Sequence, residues 1–400
     1  MTRIQRLVER HDAWRMSQCI NLMPSENMTS EAVRALLSSD MGHRYTLPLN
    51  TEIHGSLVEN AYRGTRLMDE VEEVAEGLAR EVFGATYANL HSLSGHVAGM
   101  AMLTTLTSAG DAIAVISSIN GGYDGYMPGY LPDILGLEVS TLPFSEETFT
   151  LRTEAACETI RKSKPALVVL GASFILFPYD LKAIRESCDE VGCYLGYDGS
   201  HVLGLIAGGR FQPDCTRFVD ILVGSTHKSF FGPQGGIVLS RDHEIGRSVD
   251  GGLTWKILDN VHWNRIAALG QALHEARRWG QDYAEQTCKN ARAFGKALIE
   301  EGIPVRYEDM GITQSHQVLL SEKDMEKKYG RSINDSAKLL ENSNIIIDCV
   351  GRLGTNEVTR LGLKEKDMAV VAGLLSRALS GEPVGDEAST FRSQFAVEYV

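Results

Sequence analysis

The chain has 400 residues, of which 43% are hydrophobic and 23% charged, and its 39 Lys and Arg against 52 Asp and Glu leave a net charge of −13. That length exceeds one ordinary core, and the composition is that of a globular protein, which excludes disordered, collagenous and coiled-coil classes. The acidic balance argues against nonspecific nucleic-acid or anionic-membrane binding, while leaving room for a local basic pocket. The most apolar stretch, 165–177, is interrupted by Gly171 and Ser173, so no membrane span is expected. Residues 1–9 carry both charge signs and lack the apolar centre of a signal peptide. Seven cysteines, an odd number without metal-ligand spacing, read as reduced thiols of a cytoplasmic protein.

Taken in chain order, residues 4–15 are amphipathic and predict a helix. Residues 21–27, NLMPSEN, read as a loop because Pro24 and Asn27 break periodicity. A short helix starts at Thr29-Ser30-Glu31 and runs to about Leu37. Residues 68–83 form a strong helix, with Met68, Val71, Val74, Ala75, Leu78 and Val82 on one face and Gly84 as its stop. Strands are then predicted at 87–90, 111–117, 165–170, 193–197, 219–223 and 236–240, with helices at 95–106 and 181–191. Short apolar strands alternating with helices give an α/β fold, a mostly parallel sheet covered on both faces. In such sheets, sites lie at the strand C-terminal ends. Residues 260–300 read as helical and 305–400 as a smaller α+β unit. The expected organisation is an N-terminal arm over 1–45, a large domain over 46–275 and a small C-terminal domain over 276–400.

Two constellations carry chemistry. Tyr197-Asp198-Gly199-Ser200-His201 ends one predicted strand, and Ser225-Thr226-His227-Lys228 ends another, followed by Gly232-Pro233-Gln234-Gly235-Gly236. A carboxylate at one strand end and an amine in a neighbouring glycine-rich turn are what a pyridoxal phosphate site needs. The lysine forms a Schiff base, and the carboxylate keeps the pyridine nitrogen protonated. The second constellation, His91-Ser92-Leu93-Ser94-Gly95-His96, opens the helix at 95–106. A helix N-terminus with Ser and Gly offers N–H groups and a favourable dipole to a phosphate.

With these residues in view, the sequence resembles the serine hydroxymethyltransferase family of pyridoxal phosphate enzymes. The resembling stretches are NLMPSENMTS at 21–30, FGATYANLHSLSG at 83–95, YDGSHVLGLIAGG at 197–209, STHKSFFGPQGG at 225–236 and GRLGTNEVTRLG at 351–362. The resemblance implies the fold-type-I, aspartate-aminotransferase-like architecture, with pyridoxal 5'-phosphate bound in the large domain. It implies Lys228 as the Schiff-base lysine, Asp198 at the pyridine nitrogen and His201 near the phenolic oxygen. Ser94 and Gly95 would hold the phosphate, with His96 where the family usually has Ser. Ser173, Ser225 and His227 complete the implied cofactor shell. Ser25 and Arg352 would bind the substrate carboxylate, a task suited to the planar guanidinium fork. Tyr45 and Tyr62 match two active-site tyrosines, Tyr62 being supplied by the partner subunit. Gly252 corresponds to a glycine that reaches the partner's phosphate. A homodimer with shared sites, or a dimer of dimers, follows from the same resemblance.

The departures bear on substrate. The family's Tyr-x-Glu is Tyr45-Thr46-Leu47 here, and Glu52 is the nearby carboxylate. The ring-stacking His is Tyr123 here. These changes fall on positions that read tetrahydrofolate and the one-carbon unit, whereas the Schiff-base machinery is intact. The expected activity is aldol-type cleavage or transfer at the Cα–Cβ bond of a small β-hydroxy amino acid, with an aldehyde or folate as co-substrate. A folate-independent threonine aldolase or transaldolase, a racemase or an aminotransferase shares the machinery, and a non-catalytic pyridoxal-phosphate-binding paralogue is a separate class. No metal is expected.

Overall fold

The computed structural model describes residues 1–47, 52–53, 56–57 and 62–399, with 52, 53, 56 and 57 described by backbone alone. They form two compact units: residues 29–281, and residues 1–28 together with 282–400. Of the 45 residues read as an arm, the first 28 therefore group with the C-terminal residues. The reason is a short parallel strand pair, in which Ile20 and Asn21 lie against Ile345 and Ile346.

The first unit is built on seven strands: β1 Tyr87–Asn89, β2 Ala112–Val115, β3 Glu138–Thr141, β4 Leu167–Leu170, β5 Tyr194–Asp198, β6 Ile221–Ser225 and β7 Gly236–Ser240. Their order is β1-β7-β6-β5-β4-β2-β3. β7 is antiparallel to both neighbours, and the other adjacent pairs are parallel. The runs LVVL, ILVGS and GIVLS are buried throughout, as strands covered on both faces must be. β3 was not apparent in the sequence, because its EVST carries no apolar run and it forms the sheet edge.

Helix α1 (Arg66–Phe83) ends at Gly84, which takes a left-handed conformation. Its predicted single apolar face divides into two. Met68, Ala75, Ala79 and Phe83 are buried with Glu72, whereas Leu67 and Val74 stay 58% and 63% exposed. Leu67, Val71, Val74 and Leu78 recur at helical spacing and line an open apolar groove with Leu36, Met41 and Ala267.

Helix α2 (Gly95–Leu106) lies across β6 and β7, burying Ala98, Met102 and Leu106 against Ile221, Val223 and Val238. Each of the larger side chains among them, Met, Leu, Ile or Val, contributes about 1.5–3 kcal/mol when fully buried. Helices α3 (Leu181–Val191), α4 (His243–Gly252) and α5 (Trp263–Glu300) follow, and the division between units falls within α5 at residue 281. The second unit buries Phe294, Leu298, Val318, Leu353, Val371 and Leu375. Its strand Gln317–Leu319 pairs antiparallel with Arg352–Gly354.

A buried polar network anchors the end of β1. The His91 imidazole pairs with the Glu72 carboxylate on α1. Asn89 donates to Asp250 Oδ1 on α4 at 2.8 Å, and the Tyr87 hydroxyl donates to the same carboxylate. Burial, with the Glu72 charge nearby, pushes Glu76 up to about 8, and burial also raises Asp250. For His91, burial acts downward, but the charge and hydrogen bond of Glu72 outweigh it and the imidazole is raised. In the second unit, burial lifts Glu357 to about 7 against the hydrogen bond from Asn21. Each group binds its proton more firmly folded than unfolded. Raising the pH from the ordinary carboxylate range through about 8 therefore removes protons that favour the fold, and stability falls. The thermal midpoint at pH 8.5 is expected to lie below that at pH 6.0 by several degrees, with each 1 kcal/mol lost lowering it by roughly 2–4 °C. Scanning calorimetry of the protein and of Glu76→Gln checks this, the variant showing the flatter profile.

Candidate active site

The parallel strands deliver their C-terminal ends to one edge of the sheet. β1 leads into His91–Gly95, β4 into Gly171–Ser173, β5 ends at Asp198, and β6 ends at Ser225, three residues before Lys228. Because β5 and β6 pair with Asp198 opposite Val223, the carboxylate and the lysine turn emerge side by side. Gly95, His96, Tyr123, Ala172, Ser173, Asp198, Ser200, His201, Ser225 and Lys228 line a single open space of about 350 Å³.

Within it, Asp198 is buried and takes two hydrogen bonds. The Ser200 amide donates to Oδ1 at 2.9 Å, and the Tyr126 hydroxyl donates to Oδ2 at 2.8 Å. Lys228 Nζ lies 3.4 Å from His201 Nε2. The lysine turn is closed by backbone bonds from Thr226 N to Gly235 O (3.0 Å) and Gly232 N to Thr226 O (2.8 Å). Burial and the adjacent Lys228 ammonium lower the His227 imidazole to about 4, so it is neutral at ordinary pH. Its Nδ1 has no partner among the described residues.

Ser94 caps α2, its hydroxyl accepting from the Val97 amide at 3.2 Å. The Ser225 amide donates to Ser200 Oγ at 3.0 Å, tying the ends of β5 and β6 together. Gly95 sits directly against both serines, so a Cβ there would overlap Ser225 Oγ and crowd Ser200 Oγ. The backbone is thus brought to the helix N-terminus with its cradle open. Tyr123 forms a further wall, its hydroxyl 2.8 Å from His96 Nδ1.

Other expected site residues lie elsewhere. Tyr45 and Tyr62 meet edge-to-face at 5.0 Å between ring centroids. The Tyr45 hydroxyl donates to Asp259 at 2.9 Å, and that bond holds the phenol up to about 12. Gly252 ends α4 with Thr105 as its near neighbour, at the far end of α2 and roughly 15 Å along the axis from Ser94. The Glu52 side chain lies outside the described residues; its backbone opens a two-residue strand, Glu52–Ile53. In the second unit, Arg352 Nε donates to Asp348 Oδ2 at 2.6 Å. Gly354 N bonds Leu22 O at 2.7 Å, which brings the loop of Ser25 alongside the strand of Arg352.

Sequence reading missed Ser200 and Tyr126. Ser200 sits inside the Asp-Gly-Ser-His motif, and Tyr126 follows Tyr123 by three residues in the loop after β2. Among the described residues, no cluster of three or more metal-ligating side chains occurs, and no helix is long and apolar enough to cross a membrane.

An amine, a held carboxylate, a helix N-terminus with a glycine cradle and an aromatic wall fit an aldehyde, a pyridine nitrogen, a phosphate and a flat ring in turn. Fold and site together are those of a pyridoxal-phosphate enzyme of fold type I. Residues 2–375 match the model of the family described as serine hydroxymethyltransferase. The chain is 38% identical over 391 residues to the serine hydroxymethyltransferase of Methanopyrus kandleri, covering 94% of this chain and 89% of that one. It is 36% identical over 407 residues to that of Methanobrevibacter smithii, covering 98% and 93%. The solved L-threonine transaldolase of Pseudomonas fluorescens superposes with a TM-score of 0.90 at 25% identity, over 99% of this chain and 92% of its own. The chain belongs to the serine hydroxymethyltransferase family.

Gly95→Ala is expected to weaken pyridoxal phosphate binding by at least about tenfold, because relieving the overlap with Ser225 moves the phosphate cradle. Absorbance titration of the cofactor-free variant measures this, with circular dichroism to confirm that the sheet persists.

Proposed function

We propose that this protein transfers a hydroxymethyl or aldehyde fragment at the Cα–Cβ bond of a small β-hydroxy amino acid. The main support is the single cavity wall shared by Lys228, His201 and the doubly bonded Asp198, in a chain of this family. When bound, pyridoxal phosphate supplies an electron-withdrawing ring that accommodates negative charge developing at Cα. Lys228 would hold the cofactor's aldehyde carbon until the amino acid replaces it. Asp198 would keep a proton on the ring nitrogen, and His201 would face the phenolic oxygen. Ser94, Gly95, His96, Ser173, Ser225 and His227 would hold the cofactor from the surrounding turns, with Tyr123 against the ring. Gly252 would serve the partner's phosphate, in keeping with its place away from this cavity.

In the second unit, Ser25 and Arg352 would take the substrate carboxylate. Asp348 fixes Nε of the guanidinium and so sets the direction of its fork. A carboxylate held at a fixed angle selects which Cα bond is broken. For a β-hydroxy amino acid, a base must accept the hydroxyl proton as Cα–Cβ opens. Glu52 and the Tyr45–Tyr62 pair are the proposed groups.

Transaldolation without folate is the second reading. It is favoured by the replacement of Tyr-x-Glu with Tyr45-Thr46-Leu47 and by the likeness to a threonine transaldolase. Product analysis on serine, threonine and α-methylserine, each with and without tetrahydrofolate or an added aldehyde, decides between them. Folate-dependent glycine from serine marks hydroxymethyl transfer, and aldehyde-dependent exchange on threonine marks transaldolation. Absence of Cα–Cβ cleavage under all conditions rejects both. Glu52→Gln is expected to slow cleavage by about 10²-fold or more without changing cofactor affinity; unchanged turnover removes Glu52 from the base role.

The reading includes a cytoplasmic homodimer. None of the seven cysteines is in a disulfide and six are buried, which suits a reducing compartment. The apolar groove along Leu67, Val71, Val74 and Leu78 suits a second copy of the chain. Sedimentation velocity is expected to give a dimer for the wild type and a shift to monomer for the double variant Leu67→Glu, Val74→Glu.

A further inference from the structure

Residues 123–126 form a tight turn, with a 3₁₀ segment at Asp124–Tyr126, that carries two phenols pointing to different polar partners. Tyr126 donates to Asp198 Oδ2. Tyr123 meets His96 Nδ1. The rings stand edge-to-face with centroids 5.5 Å apart. We propose that this turn is a two-ended positioning device, with Tyr126 setting the carboxylate for the cofactor's ring nitrogen and Tyr123 setting His96 for its phosphate. The inference rests on the pyridoxal phosphate reading and adds to it two positioning residues, one for each end of the cofactor.

At the first end, Asp198 has one oxygen fixed by the Ser200 amide, two residues along its own chain. That bond alone lets the carboxylate pivot. The Tyr126 hydroxyl fixes the other oxygen from 72 residues away, so the carboxylate plane is fully determined. Space for this phenol is built in: Gly99, on α2, lies so close that a Cβ would overlap the Tyr126 oxygen.

At the second end, burial and the charge of Asp198 raise the Tyr123 phenol, and the same causes raise Tyr126. Both phenols therefore stay protonated, and in the proposed device Tyr123 is the donor to His96. A phenol donating to His96 Nδ1 leaves the imidazole proton on Nε2. His96 lines the cavity beside Gly95, Ser200 and Ser225, where a donor complements an anion at the N-terminus of α2. A serine at position 96 would offer a hydroxyl that rotates; this imidazole is held in one tautomer by the residue that also walls the ring.

The two ends give separable signatures. Full-length protein is reconstituted with pyridoxal phosphate enriched in ¹⁵N at the ring, and ³¹P and ¹⁵N spectra are recorded with affinities from absorbance titration. Tyr123→Phe and His96→Asn are expected to move the ³¹P resonance and weaken binding about fivefold, the scale of one hydrogen bond, with ¹⁵N unmoved. Tyr126→Phe is expected to move ¹⁵N and leave ³¹P in place. Should Tyr126→Phe not fold, the Tyr123 and His96 variants test the device alone. Variants that move both nuclei together, or neither, overturn it. A wild-type chain with no bound ³¹P signal overturns the cofactor reading itself, a distinct result.

Discussion

The site depends on how one carboxylate is fixed in place. Asp198 closes β5, buried at the sheet edge, with its oxygens held by the Ser200 amide and the Tyr126 phenol. Burying a carboxylate is costly unless its lone pairs are met by donors, and here the two donors come from separate segments. Its position follows from the parallel pairing of β5 with β6, which also aims the lysine turn. A one-residue slip between those strands would turn every side chain to the opposite face and part the amine from the acid. The apolar Ile221 and Val223 of β6, packed under α2, resist that slip.

Much of this was legible in the sequence, for a physical reason. Asp-Gly-Ser-His, Ser-Thr-His-Lys and Ser-Gly each place a polar residue at the junction of an apolar strand and a turn, and such junctions lie at one edge of a parallel sheet. Local patterns suffice there because the strand directs the side chain. Tyr126 was not legible, since its bond to Asp198 spans 72 residues and no local pattern encodes it. The division of α1 was hidden for a related reason. Val71 and Val74 are apolar like Met68 and Ala75, and periodicity shows that a face is apolar without showing what covers it. β3 escaped notice because an edge strand needs no continuous apolar run.

The two classes of residue differ in what holds them. The groups that fit the cofactor stand on strand ends and on a capped helix. The departures cluster in segments outside the sheet, at Tyr45-Thr46-Leu47 and Glu52. Loops can exchange residues without disturbing the core. Residues in such segments can therefore change without moving the groups that line the cavity. Tyr123 is the exception: it lines the cavity itself, where its hydroxyl meets His96.

Within the seven-stranded sheet β7 is the one strand that runs against its neighbours, so it reaches the site with its first residue. Ser225 pairs with Gly236 across the closing position, and the ten residues between them, Lys228 included, form one hairpin loop. Every parallel neighbour needs a long crossover before it can join the sheet, but this connection needs none. Closing a loop of that size takes about 10–100 ns, far less than the assembly of distant parallel strands. The Lys228 turn is thus closed by a local contact, whereas Asp198 and the helix N-terminus are brought to it by contacts more distant in sequence.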